Sequence, residues 1–164
     1  CESEPGKGSV FHFLLPLARA ARARPGTDAE SRPLEALPPG KRVLLAEDNA
    51  INQEIVRELL RRLGVDCAVA ENGRRALDLI SRERYDCVLM DIQMPKMDGY
   101  EATRQIRALN KPGAARIPIV AMTANAFEED REKAFEAGMN GHLPKPIKVP
   151  ELLKTLNQVL RTKE

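Results

Sequence analysis

From Lys41 onward the sequence alternates between short apolar runs and longer stretches with an amphipathic helical pattern, and this feature constrains the fold more than any other. The apolar runs predict strands at 42–46, 66–70, 87–90, 117–122 and 142–143. The stretches between and after them predict helices at about 49–64, 74–82, 98–109, 128–137 and 151–161. Strands that alternate with helices indicate an α/β fold, in which helices cover both faces of a parallel sheet.

The first predicted helix carries the clearest signals. Asn49 is suited to capping its start, and Gly64 is suited to ending it. Its predicted apolar face repeats every four residues and consists of Ile51, Ile55, Leu59 and Leu63.

The composition changes near residue 40. Six of the 12 prolines lie in the first 40 residues, and residues 18–40 combine Ala, Arg, Pro and acidic residues without an apolar period. Such a segment is typical of a solvated linker. We therefore predict a linker at 18–40 and a packed domain at 41–164.

Charge and composition exclude several classes of protein. The chain has 26 basic and 24 acidic residues and only 4% aromatic residues, so no nucleic-acid surface is predicted. The longest apolar stretch, 10–18, contains His12 and Pro16 and is shorter than the roughly 20 residues of a membrane span. Three cysteines without metal or disulfide spacing favour reduced thiols, and no signal peptide is recognisable. We expect a cytoplasmic domain without direct membrane contact, and a membrane anchor elsewhere in a full-length protein stays open.

Polar residues follow four of the five predicted strands. Glu47 and Asp48 follow the first strand, Asp91 the third and Thr123 the fourth, and the fifth runs into Lys145. Ligands of parallel sheets bind at the carboxyl ends of the strands, so these side chains are predicted to share one rim. Each residue alone has an ordinary explanation as a turn, a cap or a surface charge, whereas the combination favours a site.

This combination of side chains predicts a specific chemistry. Three neighbouring carboxylates require a cation if all are to stay ionised, and a ligand set of oxygens suits Mg²⁺. A carboxylate backed by Mg²⁺, an ammonium and a hydroxyl has the groups needed to accept a phosphoryl group. We therefore predict phosphoryl transfer to Asp91, with an acyl phosphate as product.

Two other protein classes fit these residues less well. A flavodoxin-type FMN protein needs a loop rich in Ser, Thr or Gly after the first strand, where this chain has the acidic pair Glu47-Asp48. A phosphatase of the haloacid dehalogenase type normally has a second Asp two residues after the nucleophile, where this chain has Gln93.

Four segments resemble the motifs of a response-regulator receiver domain, in the same order. They are LLAEDN at 44–49, MDIQMPKMDG at 90–99, AMTA at 121–124 and LPKP at 143–146, and the resemblance covers about residues 41 to 162. It implies a flavodoxin-like (βα)5 three-layer sandwich with a parallel five-stranded sheet of order 2-1-3-4-5. It also implies a role in a two-component phosphorelay, in which the domain takes a phosphoryl group from a phosphohistidine and changes conformation.

The resemblance implies a role for each acidic residue of the rim. Asp91 is the implied phosphoacceptor, and Asp48 and Asp91 are implied ligands of Mg²⁺. Glu47 is implied to hold a coordinated water, and the backbone carbonyl of Gln93 completes the metal site. The side chain of Gln93 falls where family members tune the rate at which water removes the phosphate.

The remaining implied roles lie on the later strands. Thr123 and Lys145 are implied to contact the phosphoryl oxygens, and the Lys145–Pro146 bond is implied to be cis. Asn125 falls at a second position that tunes phosphate removal. His142 occupies the place where the family often has a switching Tyr or Phe, so an aromatic switch is less expected here.

Residues 1–17 carry a further resemblance, to the last strand of a histidine-kinase ATP-binding domain. It rests on the segment 4–17, in which a Gly-Lys-Gly-Ser turn precedes an alternating run that includes Val10 and Phe13. It implies the C-terminal part of a hybrid sensor histidine kinase, which is a transferase. The receiver itself is expected to catalyse only its own phosphorylation and dephosphorylation. A stand-alone, single-domain response regulator is the alternative.

The expected partner is a histidine-bearing helical bundle, either the kinase's own dimerisation helices or a separate phosphotransfer protein. The first helix starts beside Glu47 and Asp48, so the partner is expected to dock there through Ile51, Asn52 or both. Ile51 also continues the predicted apolar face, and a core position for it stays open. The oligomeric state is not predicted.

Overall fold

Five parallel strands form the central sheet. The computed structural model describes residues 2–4, 8–10, 37–124 and 128–161. The strands are β1 (Arg42–Ala46), β2 (Asp66–Ala70), β3 (Cys87–Asp91), β4 (Ile119–Thr123) and β5 (Gly141–Pro144). They are arranged in the order β2-β1-β3-β4-β5, which confirms the predicted sheet.

Five α-helices follow the strands in turn. They are α1 (Ala50–Arg62), α2 (Gly73–Arg82), α3 (Gly99–Arg107), α4 (Glu128–Glu136) and α5 (Val149–Arg161), and a short 3-10 helix covers Ala114–Arg116. The side chains of Asn49, Asn72 and Asp98 accept hydrogen bonds from the first turns of α1, α2 and α3. The caps at Asn49 and Asp98 confirm the predicted starts of α1 and α3, and Asn72 caps α2.

The core has two layers, one on each face of the sheet. Successive residues of a strand point to opposite faces, so Val43 and Leu45 pack on one side and Leu44 and Ala46 on the other. The first layer contains the buried residues of α1 and α5, and the second contains those of α2, α3 and α4. This arrangement confirms the three-layer sandwich.

The buried face of α1 differs from the prediction. Val56 and Leu60 are buried, whereas Ile51 is 72% exposed and Ile55 is 52% exposed. A helix turns by about 100° per residue, so a row of residues four apart drifts by roughly 40° at each step. The predicted row therefore starts in solvent and reaches the core only near Leu59 and Leu63, which are half-buried. A core position for Ile51 is wrong.

The remaining boundaries shift by one or two residues. β4 begins at Ile119 rather than at residue 117, and Pro118, which has no N–H to donate to a strand partner, lies just before it. β3 extends through Asp91, and α3 ends at Arg107. The rim residues keep their places at the strand ends.

A separate N-terminal hairpin consists of two short antiparallel strands, Glu2–Glu4 and Gly8–Val10. Gly8 and Ser9 therefore lie in a strand rather than in the turn predicted before it. The rest of the predicted kinase-like strand, to residue 17, and the predicted linker to residue 36 lie outside the described residues. Leu37, which the sequence places in the linker, is buried in the layer of α1 and α5.

Candidate functional site

A cleft of about 300 Å³ lies at the carboxyl edge of the sheet. The segments that line it follow β1, β3, β4 and β5 and include the first turns of α1 and α4. Its lining residues are Glu47, Asp48, Asn49, Asn52, Asp91, Ile92, Gln93, Thr123, Ala124, Asp130 and Lys145. The structure thus brings together every predicted rim residue.

Three of the carboxylates that line the cleft lie close together. One oxygen from each of Glu47, Asp48 and Asp91 lies within 4.8 Å of the others. Glu47 and Asp91 are buried, and Asp48 is exposed. Carboxylates this close repel one another unless a cation lies among them, so the donor set fits a hard divalent ion such as Mg²⁺.

Lys145 bridges the two buried carboxylates. Its Nζ lies 2.7 Å from Oε2 of Glu47 and 2.8 Å from Oδ2 of Asp91. Burial disfavours the charged ammonium, but the hydrogen bonds to Asp91 and Glu47 outweigh burial and raise the pKa of Lys145. One ammonium therefore faces three carboxylates, which leaves an excess of negative charge in the cleft.

Asp91 ends a strand that is buried along its whole length. All five residues of β3 are buried, and the side chain of Asp91 emerges at the floor of the cleft. Burial raises the pKa of its carboxyl, and the hydrogen bond from Lys145 opposes this shift. The backbone N–H of Gln93 donates to Oδ1 at 3.3 Å, so the carboxylate is held from both sides.

The start of α3 packs directly against the main chain of Asp91. The N–H of Gly99 donates to the carbonyl oxygen of Ile92 at 3.0 Å. A Cβ on Gly99 would overlap the carbonyl oxygen of Asp91. The Asp98-Gly99 pair therefore caps α3 and leaves room for the strand end that carries Asp91.

Glu47 is anchored by the first turn of α1. Nδ2 of Asn52 donates to Oε1 of Glu47 at 2.9 Å, and Nε2 of Gln53 donates to the main-chain oxygen of Glu47 at 2.7 Å. From the sequence, Asn52 is expected only as a partner contact, and its bond to Glu47 is not predicted. The signal was its place in the same helical row as Val56 and Leu60, which are buried.

Thr123 and Lys145 close the opposite side of the cleft. Thr123 is buried at the end of β4, and its carbonyl oxygen accepts a hydrogen bond of 2.8 Å from the N–H of Lys145. The Lys145–Pro146 peptide bond is cis, as predicted.

The other predicted positions lie in different surroundings. Gln93 is exposed at the cleft, and Asn125 lies outside the described residues. His142 lines a separate groove between α4 and α5, where burial, with a smaller effect of Arg131, lowers its pKa. Asp130 of α4 reaches the cleft, and no motif in the sequence indicated it.

Comparisons with known proteins agree with this geometry. The family model described as the response regulator receiver domain matches residues 43–157. The sensor protein EvgS of Escherichia coli K12 is 34% identical over 158 residues, which are 96% of this chain and 13% of that protein. The chain spans only 6% to 17% of the length of the curated relatives it matches, several of which are hybrid histidine kinases.

Two solved structures are informative. One is the receiver domain of the sensor histidine kinase PA1611 from Pseudomonas aeruginosa PAO1, with a magnesium ion coordinated in its active site cleft. It is 43% identical, with a TM-score of 0.69, and the match covers 74% of this chain and 98% of that chain. The other is the Saccharomyces cerevisiae complex of the phosphotransfer protein Ypd1 with the receiver domain of Ssk1. It is 32% identical, with a TM-score of 0.71, and the match covers 77% of this chain and 93% of that chain.

Proposed function

The chain belongs to the response regulator receiver domain family, and from this premise we propose that Asp91 accepts a phosphoryl group from a phosphohistidine. The domain is a receiver of a two-component phosphorelay. The observation that carries the assignment to Asp91 is its place at the floor of the cleft, between Lys145 and two further carboxylates.

The proposed reaction is an in-line transfer. A carboxylate oxygen of Asp91 forms a bond to phosphorus while the bond between phosphorus and the imidazole nitrogen breaks, and the imidazole leaves. Lys145 is poised to neutralise charge on the phosphoryl oxygens, because its Nζ already lies 2.8 Å from Asp91. The hydroxyl of Thr123 is proposed to donate to a phosphoryl oxygen and to draw β4 and the start of α4 into a new conformation.

The cleft is proposed to hold Mg²⁺. Asp48, Asp91, the carbonyl of Gln93 and, through a water, Glu47 would hold it, and the ion supplies positive charge for the phosphoryl oxygens. The supporting observation in this chain is the excess of carboxylates over cations in the cleft. The magnesium ion in the active site cleft of the PA1611 receiver domain also supports the proposed metal site.

Three side chains are proposed to modulate the reaction. Gln93 lines the cleft. We propose that the side chains of Gln93 and Asn125 both tune the access of water to the acyl phosphate. His142 lies in the groove between α4 and α5, and we propose that it takes the place of an aromatic switch residue on that surface.

The proposed partner is a histidine-bearing helical bundle that docks over the first turn of α1. Ile51 in that turn and Ile55 in the next turn are exposed, and Asn52, which lines the cleft, is half-buried. The Ypd1–Ssk1 complex, in which a receiver domain is paired with a phosphotransfer protein, supports this class of partner.

We also propose that the chain is the C-terminal part of a hybrid histidine kinase. The match to EvgS includes 96% of the chain and so extends well upstream of the receiver domain. We propose that residues 1–17 are the last strand of a kinase ATP-binding domain, that 18–40 are a linker and that 41–164 are the receiver. The end of this linker packs on the receiver, since Leu37 is buried in the layer of α1 and α5. We also propose that the protein acts in the cytoplasm. Kinase activity itself is not supported for this chain, and a stand-alone regulator is not favoured by these relatives. No helix within the described residues has the length and apolar character needed to cross a bilayer.

Labelling by a small phosphodonor tests the proposed function. Acetyl phosphate is expected to add one phosphoryl group to the chain in the presence of Mg²⁺ and none in EDTA, as measured by intact mass. Asp48→Ala is expected to abolish labelling. The matched control is Asp66→Ala, which removes an exposed carboxylate at the start of β2, and it is expected to label normally. Normal labelling of Asp48→Ala would remove Asp48 from the proposed site.

A further inference from the structure

The first turn of α1 fixes the carboxylate of Glu47, and we propose that Asn52 is a positioning residue for Mg²⁺ binding in the cleft. This inference rests on the proposed function, because it gives Asn52 a part in the same site. It goes beyond a docking role for Asn52, since the side chain acts through Glu47 rather than on a partner.

The two oxygens of Glu47 have separate donors. Glu47 is only 1% exposed, so its carboxylate depends mainly on donors from the protein. Oε2 accepts from Lys145 at 2.7 Å, and Oε1 accepts from Nδ2 of Asn52 at 2.9 Å. The N–H of Asn49 approaches the same Oε1 only to 3.4 Å, a long and weaker contact. Asn52 is therefore the donor that sets the rotation of the Glu47 carboxylate.

The helix presents Asn52 to Glu47 by its register. Asn49 caps α1 by accepting from the N–H groups of Ile51 and Asn52, which fixes the first turn. Asn52 then lies in the row of Val56 and Leu60 and faces inward, whereas Ile51 faces solvent. Gln53 adds a bond to the main-chain oxygen of Glu47, so the same turn holds both the main chain and the side chain of Glu47.

Loss of the Asn52 amide is expected to move the carboxylate of Glu47 and to weaken Mg²⁺ binding. A buried carboxylate oxygen without a hydrogen-bond donor raises the free energy of the folded state. The carboxylate of Glu47 is therefore expected to turn toward its remaining donor, Lys145. This movement draws the ammonium away from Asp91, which shares it. Side chains that orient metal-holding carboxylates typically change metal affinity by 10–100-fold when they are removed. We therefore expect a loss of Mg²⁺ affinity of about tenfold or more.

The test compares two variants of neighbouring donors. Asn52→Leu removes the amide that holds the Glu47 carboxylate and replaces it with a side chain of similar size and good helix propensity. Gln53→Leu removes the bond to the Glu47 main chain and leaves the carboxylate contacts intact, so it measures the effect of loosening α1 alone. The affinity for Mg²⁺ is measured by NMR titration of the 164-residue chain with the metal alone. Asn52→Ala serves as a second variant if leucine disturbs the packing.

The expected result is a Mg²⁺ dissociation constant about tenfold higher for Asn52→Leu and changed by less than about twofold for Gln53→Leu. Labelling of Asn52→Leu by acetyl phosphate should be slow at low Mg²⁺ and recover as Mg²⁺ is raised, which a general folding defect would not show. Unchanged affinity in Asn52→Leu and Asn52→Ala, or an equal loss in Gln53→Leu, would overturn the inference and leave the proposed function standing. A wild-type chain that neither binds Mg²⁺ nor labels would overturn both.

Discussion

At the scale of single residues, the carboxylate of Asp91 has a negative charge in a buried position, which is unfavourable for folding. Asp91 is only 5% exposed, and burial raises the pKa of its carboxyl although Lys145 opposes the shift. A carboxyl whose folded-state pKa exceeds its unfolded value lowers the stability of the folded chain at neutral pH. The cost is relieved as the pH falls through the folded-state pKa and disappears below the unfolded value. The proposed nucleophile is thus held in a buried position that lowers the stability of the folded chain.

This balance predicts a stabilising substitution at the proposed nucleophile. Asparagine resembles the neutral form of aspartic acid, so Asp91→Asn in metal-free buffer is expected to raise the free energy of unfolding at pH 7. The gain should shrink as the pH is lowered toward 4, near the ordinary pKa of an aspartate. Urea unfolding at several pH values measures it, with Asp98→Asn, which keeps an α3 cap, as the control. A wild type that is as stable as Asp91→Asn at pH 7 would contradict this account.

At the scale of elements, the strand ends were predictable and the face of α1 was not. A polar residue directly after a buried parallel strand lies at the carboxyl edge of the sheet, where ligands bind. Asp91, Thr123 and Lys145 could therefore be placed from the sequence. The row from Ile51 to Leu63 obeys helical spacing but drifts around the helix, so spacing alone could not tell which end meets the core. Asp130 was missed because its place at the cleft depends on how α4 packs, which no local pattern records. For Asn52 a local signal existed, since it lies four residues before Val56 in α1, but the bond to Glu47 was not inferred from it.

Arg107 ties the end of α3 to the segments that lead into β4 and β5. Its guanidinium donates to the carbonyl oxygens of Gly138 and Ile117 and to Oδ1 of Asn140, at 2.8 to 2.9 Å. The same Oδ1 accepts from the N–H of Ile119 at the start of β4. Arg107 therefore joins α3, the start of β4 and the segment between α4 and β5.

Removal of this side chain is predicted to destabilise the domain. Arg107→Ala leaves three acceptors without their charged donor, so the free energy of unfolding should fall by about 3 kcal/mol. Arg104 lies on the same helix but pairs with Glu101 at the surface, so Arg104→Ala should cost less than about 1 kcal/mol. Urea unfolding of both variants gives the comparison. Equal losses would show that the contacts of Arg107 add little.

At the scale of the whole molecule, the described domain presents its reactive edge beside an exposed apolar surface. The first turn of α1 carries Ile51 on the outside and Asn52 on the inside, next to the acidic cleft. The phosphodonor that is proposed to dock on Ile51 and Ile55 would therefore lie beside the cleft. The proposed docking surface and the proposed chemical site thus lie on two sides of one helix turn.

A substitution on the outer side should separate docking from chemistry. Ile51→Arg is expected to slow phosphotransfer from a phosphorylated histidine-bearing partner by about tenfold or more, because it places a charge in an apolar contact. Labelling by acetyl phosphate should continue, since Ile51 does not line the cleft. Phe135→Arg removes a comparably exposed apolar side chain on α4 and is the control for phosphotransfer. If the two variants slow the transfer equally, the docking surface lies elsewhere.

The most direct test of the central claim is to locate the phosphoryl group. The chain is labelled with acetyl phosphate and Mg²⁺, the acyl phosphate is reduced with borohydride, and the modified residue is identified by tandem mass spectrometry. We predict a single modified residue, Asp91, and no gain of a phosphoryl group in Asp91→Asn, whose predicted extra stability would exclude misfolding as the cause. A label on Asp48 or on any other residue of the wild type, together with continued labelling of Asp91→Asn, would contradict the account.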